Sequence, residues 1–135
     1  MSVNEKTMNQ VVHFDIPVDN LEAAKEFYSI FGWDLMDIPG MDYVGVRTTP
    51  VDENRMPKQP GAINGGLMKR SEHLKTPAVA VHVASVDEYI EKVLAKGGKL
   101  VMPKIEIPGT GYYAYVADPE GNVLGLWEPL PSASH

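Results

Sequence analysis

Residues 16–35 (IPVDNLEAAKEFYSIFGWDL) and residues 81–100 (VHVASVDEYIEKVLAKGGKL) run in step at a constant offset of 65. Leu21 falls on Val86, Gly32 on Gly97 (97 − 32 = 65) and Leu35 on Leu100. One supersecondary unit is therefore used twice, and each copy must bury an apolar face against something else. A chain of 135 residues has room for two such units in one compact domain, module 1 at about 10–70 and module 2 at about 77–129. Carried back into the preceding strand, the same offset sets His13 on Ala78 (78 − 13 = 65), so the two copies differ in chemistry where they match in pattern.

Composition narrows the partners. The formal net charge is −6 and no Lys or Arg cluster offsets it, which argues against a nucleic-acid backbone or an anionic membrane. The chain has no cysteine, so disulfides, zinc thiolate sites and a cysteine nucleophile are all excluded. The first ten residues, MSVNEKTMNQ, are polar and do not read as a signal peptide. No apolar run approaches the roughly 20 residues of a membrane span. The expected location is the cytoplasm.

Along the chain, VVHFDIPV alternates and is rich in Val and Ile, as a strand does. Asp19 or Asn20 offers an N-cap, with Glu22 placed to close a capping box from Asp19. Leu21, Ala24, Phe27, Tyr28 and Phe31 then recur at helical spacing, and Gly32 ends the helix. WDLMDI, DYVGVRTT and AINGGLM read as three short strands, with a polar loop at 50–61 and a linker, SEHLKT, after them. The pattern then restarts. PAVAVHVA is a strand, and Ser85 with Glu88 forms a capping box. Val86, Tyr89, Ile90, Val93 and Leu94 make the helical stripe, and Gly97-Gly98 closes it. KLVMPKIEI, GYYAYVAD and NVLGLWEP supply three more strands, the last two joined by the DPEGN turn. Each half is thus β-α-β-β-β. The expected fold is α+β: two βαβββ modules joined edge to edge in a curved, mainly antiparallel sheet, with helices outside and a concave cavity inside. A ferredoxin-like βαββαβ sandwich is the alternative, but it has too few strands between its helices.

HFDIPVDNLEAAKEFYSIFGW, VDEYIEKVLAKGGKL and DPEGNVLGLWEP together resemble the vicinal oxygen chelate superfamily of glyoxalases, bleomycin-resistance proteins and extradiol dioxygenases. INGGLM, PGTGYYAYVADPEGN and GLWEP look more narrowly like the small lactoylglutathione lyase-related proteins. The resemblance implies a metal held from four strands, and it places those ligands on His13, Gly66, Ala78 and Gly125. Three of the four positions lack a ligating side chain, and a divalent ion needs three or four protein donors. The expectation is therefore no metal and no other cofactor, the alternative being a divalent metal bound through His13. His82 lies four residues beyond Ala78, about 13 Å along a strand. Glu128 is an odd step from Gly125, which turns it to the other face. Asn64 shares a face with Gly66.

The remaining candidates have paired readings. His13 is either a catalytic base or hydrogen-bond donor, or a polar lining residue. Tyr113 and Tyr115 share one strand face as acid or hydrogen-bond donors, Tyr112 takes the other, and Trp127 shares its face with Gly125 as a stacking surface. All of these aromatics also fit ordinary packing. Gly66 and Gly125 either mark bulges or leave room for a larger organic ligand, and the second reading is preferred. Arg47 is the candidate cation for a ligand carboxylate. The functional expectation is small-molecule binding in the cavity at His13, Arg47, Asn64, Gly66, Ala78, His82, Gly125 and Trp127. Catalysis, if present, would rest on His13 with Tyr113 and Tyr115. A metal-dependent lyase or dioxygenase is the alternative. The resemblance also implies a homodimer.

Overall fold

The computed structural model describes residues 8–54 and 56–131. The elements follow in the order β1 (Val11–Val18), α1 (Leu21–Tyr28), β2 (Asp34–Asp37), β3 (Tyr43–Arg47), β4 (Asn64–Lys69), β5 (Ala78–His82), α2 (Val86–Ala95), β6 (Lys99–Ile107), β7 (Gly111–Ala117) and β8 (Val123–Pro129). A short 3₁₀ turn, Ser29–Phe31, extends α1 and stops at Gly32, whose φ of 75° suits a residue without a Cβ. The two βαβββ halves are therefore as the repeat predicts, and the ferredoxin-like alternative falls.

All eight strands form one curved, open sheet in the order β2-β3-β4-β1-β5-β8-β7-β6. The modules join within one chain through β1 and β5, which run antiparallel. Among the described residues only β1 with β4 and β5 with β8 are parallel pairs, so the sheet is mainly antiparallel. Register carries the repeat into three dimensions. Asp15 lies opposite Gly66, and Ala80, which is Asp15 plus 65, lies opposite Gly125.

Helix α1 covers Val44, Val46 and Leu67 together with Phe14, Ile16 and Trp33. Helix α2 covers Val83, Ala114, Val116 and Leu126. Both helices thus lie on one face of the sheet, each holding down its own module by apolar burial. A third cluster forms on the opposite face: Leu74, Ala78 and Tyr115, with Met68, Met102 and Tyr113 packed around them. No helix among the described residues is long and apolar enough to cross a membrane.

Three local expectations need correction. Asn20, not Asp19, caps α1 by accepting from Ala23 N–H, and Asp19 instead pairs with Arg70 at 2.9 Å. The apolar stripe of α1 is only partly buried, since Phe27 is 57% and Phe31 56% exposed. The SEHLKT segment is more than a linker, because Leu74 is buried in the third cluster. Ser85 caps α2 as expected, accepting from Glu88 N–H at 3.1 Å.

Candidate functional site

Strand alternation sends His13 and Asp15 of β1 to the face away from the helices, while Phe14 and Ile16 turn into the α1 core. Asp15 is 3% exposed, and a carboxylate at that depth needs partners. It has three. Tyr113 and Tyr115 of β7 each donate their hydroxyl to Asp15 Oδ2 at 2.7 Å. His13 Nδ1 lies 2.9 Å from Asp15 Oδ1. That last contact is close but not aligned as a hydrogen bond, so it acts as a charge–dipole or charge–charge attraction. Burial pushes the Asp15 pKa upward, yet His13 and the two phenols outweigh it, and the carboxyl ends below its ordinary range.

A third phenol completes the site. Tyr43 of β3 brings its hydroxyl to 3.5 Å from His13 Nε2. Burial, and next the Asp15 charge, raise the pKa of Tyr43, Tyr113 and Tyr115 well above the usual tyrosine value. All three are neutral phenols at physiological pH. The His13 side chain is 31% exposed, Tyr43 and Tyr113 are likewise half-buried, and Asp15 and Tyr115 are buried.

The two glycines have a specific use. A Cβ on Gly66 would overlap the Tyr43 hydroxyl, and one on Gly125 would overlap the Tyr113 hydroxyl. The two arrangements are related by the internal repeat. Tyr43 lies two residues before Gly45, the partner of Gly66, and Tyr113 lies two residues before Tyr115, the partner of Gly125. Each phenol reaches diagonally across to the neighbouring strand and occupies the space that a side chain on the glycine would need. The expectation that these glycines leave room for a ligand is therefore corrected: protein rings fill that space.

The structure brings His13, Tyr113 and Tyr115 together, with Gly66, Ala78 and Gly125 around them, and Trp127 packs on Tyr113 with ring centroids 6.1 Å apart. It separates the others. Asn64 Oδ1 accepts from Thr48 and Thr49 N–H at 2.8 and 3.1 Å, so it fastens the end of β3 to β4. His82 is exposed at the end of β5, opposite Trp127. Arg47 lines a polar groove of about 350 Å³ with Asp34, Thr48 and Thr49, which no tyrosine lines. Glu128 faces the helix side as expected and accepts from Val86 N–H at the start of α2. A larger open groove, about 440 Å³, is lined by Phe14, Ile16, Trp33, Val79 and Leu124, residues of the helix-covered face.

Sequence reasoning missed Asp15 and Tyr43. A signal existed for Asp15: it is an acidic residue two places from His13 in an otherwise apolar strand, hence on the same face. Tyr43 had none, because its role depends on the cross-strand register.

Do these residues fit a divalent ion? Among the described residues, no three His, Asp or Glu side chains gather closely enough to hold one. Asp15 is engaged by two phenols and His13, and phenols occupy the space over two of the four ligand positions. His13 Nε2 is the one donor of the implied set facing outward. The residues present do not fit a divalent metal.

Residues 10–49 match the model of the bleomycin resistance protein-like N-terminal family. The chain is 30% identical over 122 residues to "Putative glyoxylase CFP32" of Mycobacterium bovis, and equally so to the protein of that name in Mycobacterium tuberculosis. The match covers 84% of this chain but 43% of the relative, so the chain spans less than half the length of these curated relatives. Solved structures of similar shape include a glyoxalase/bleomycin resistance protein/dioxygenase superfamily member from Vibrio splendidus 12B01. It has a TM-score of 0.59 and 12% identity, covering 91% of this chain and all of that one (100%). The Mn(II)-bound glyoxalase from Novosphingobium aromaticivorans gives a TM-score of 0.55 at 18% identity, over 90% of this chain and 40% of that one. At these identities the structural likeness speaks for the fold.

Proposed function

The chain belongs to the vicinal oxygen chelate superfamily, and on that footing we propose that it binds a small oxygenated organic molecule at His13, on the concave face, without a divalent ion. The observation that carries this reading is the phenol placed over each glycine at the implied ligand positions 66 and 125. The protein has put neutral hydroxyls where metal-binding side chains would project. His13, with 31% of its side chain exposed, is the half-buried end of a network that runs inward to the buried Asp15 and Tyr115. The Tyr113 and Trp127 rings offer an adjoining aromatic surface. Where the bound molecule is turned over, His13 serves as the general base, with Asp15 holding the imidazole in place.

The reading is tested by calorimetric titration of hydroxyacetone, phenol and benzoate into wild type and His13→Ala, with a chelator present throughout. Saturable binding in chelator that His13→Ala weakens at least tenfold supports it. Binding that appears only after metal is restored favours the metal-dependent lyase or dioxygenase instead. The proposal includes a cytoplasmic homodimer. Phe27, Ile30 and Phe31, at 57%, 68% and 56% exposure, are apolar surface consistent with a covered face. Sedimentation equilibrium should return twice the chain mass, and a monomer at micromolar concentration would overturn that part.

A further inference from the structure

The nature of the ligand group follows from hydrogen-bond accounting at His13, and the inference rests on the reading just given. A phenol has one proton to donate. Tyr113 and Tyr115 both donate theirs to Asp15, so neither has one left for a bound molecule. His13 turns Nδ1 toward the Asp15 carboxylate at 2.9 Å. The negative potential there favours the tautomer that carries its proton on Nδ1, which leaves a lone pair on Nε2. The Tyr43 hydroxyl stands 3.5 Å from Nε2, at the far edge of hydrogen-bond range. Its proton is only loosely engaged. An acceptor and a donor thus stand side by side at the half-buried His13 end of the network.

We propose that His13 Nε2 and the Tyr43 hydroxyl together recognise a hydroxyl group on an uncharged ligand, an alcohol or a phenol. The ligand hydroxyl donates to Nε2 and accepts from Tyr43. A ketone satisfies only Tyr43. A carboxylate has no proton for Nε2 and meets the Asp15 charge behind the imidazole. On this assignment Tyr43 is the hydroxyl that touches the ligand, while Tyr113 and Tyr115 are positioning residues that act through Asp15.

The test uses full-length protein with ¹⁵N-labelled histidine, in chelator, with phenol and benzoate as probes of equal ring size. The His13 signals are identified by their loss in His13→Ala. In the free protein, Nε2 should resonate as an unprotonated nitrogen and Nδ1 as a protonated one. Phenol should shift the Nε2 signal and bind at least tenfold more tightly than benzoate. Tyr43→Phe should lose about tenfold in phenol affinity, with thermal melting showing that the variant is folded. Because the tautomer is read on wild type, the inference stays testable even if Tyr43→Phe is unstable. A proton found on Nε2, or benzoate binding as tightly as phenol, overturns the inference and leaves small-molecule binding at His13 intact. If no probe perturbs His13, both fall.

Discussion

Asp15 accepts two phenolic protons and lies 2.9 Å from an imidazole nitrogen, at 3% exposure. Burial alone would raise its pKa, but the three partners bring it below the ordinary value. The group therefore contributes stability that is fully present above the unfolded-state carboxylate pKa and is lost as pH falls through the lower folded value. Between those two values the unfolded chain binds the proton more readily, so stability rises with pH. Asp15→Asn should flatten that acid limb of a melting-temperature profile, and an unchanged limb would show that the carboxylate is not the titrating group. The glycines make an independent prediction. Gly125→Ala should cost about 1–3 kcal/mol, because the new methyl displaces the Tyr113 hydroxyl from Asp15. At roughly 3–5 °C per kcal/mol for a chain of this size, differential scanning calorimetry resolves the effect. Tyr113→Phe removes the displaced atom, so the two changes should be less than additive, by about 1 kcal/mol in a double-mutant cycle.

The secondary-structure elements were largely legible because local chemistry dictates them. The two helices announce themselves by apolar spacing and a closing glycine, and the strands by Val- and Ile-rich alternation between turns. What failed was any feature decided by a distant strand or loop. Asp19 and Asn20 are equally good cap types in sequence, and Arg70, brought in beside β1, takes Asp19 for an ion pair. Asn20→Ala should therefore cost about 1 kcal/mol in chemical denaturation. Asp19→Ala should cost under about 0.5 kcal/mol, its partner being exposed. A reversed order would mean that the capping box is the true cap. Leu74 looked like linker because one apolar residue in a polar stretch carries no period, yet it seals the concave cluster. Gly66 and Gly125 read as empty space because a sequence does not say which ring crosses from the adjacent strand. Asn64 read as a ligand candidate for the same reason: its partners are backbone groups of a loop folded back on it.

At the scale of the whole molecule, an internal duplication has produced a sheet with near two-fold backbone symmetry and an asymmetric site. Register is preserved between the halves, with Asp15 on Gly66 and Ala80 on Gly125. Chemistry is not, since module 1 supplies His13, Asp15 and Tyr43 while module 2 supplies Tyr113, Tyr115 and Trp127. Module 1 thus provides the ionisable pair, and module 2 provides hydroxyls that fix it. Tyr113, one of the two phenols bound to Asp15, occupies the space over Gly125, and Tyr43, beside His13, occupies the space over Gly66, the places from which a second and third metal ligand would come. A phenol-bound carboxylate and a divalent centre are therefore alternatives at this position. The measurement that decides between them is a calorimetric titration of chelator-stripped protein with Zn²⁺, Mn²⁺, Ni²⁺ and Fe²⁺ (the iron anaerobically), with His13→Ala run in parallel. The predicted result is no binding near one ion per chain that depends on His13. One ion bound per chain, with affinity lost in His13→Ala, would contradict the account and return the protein to metal-dependent chemistry.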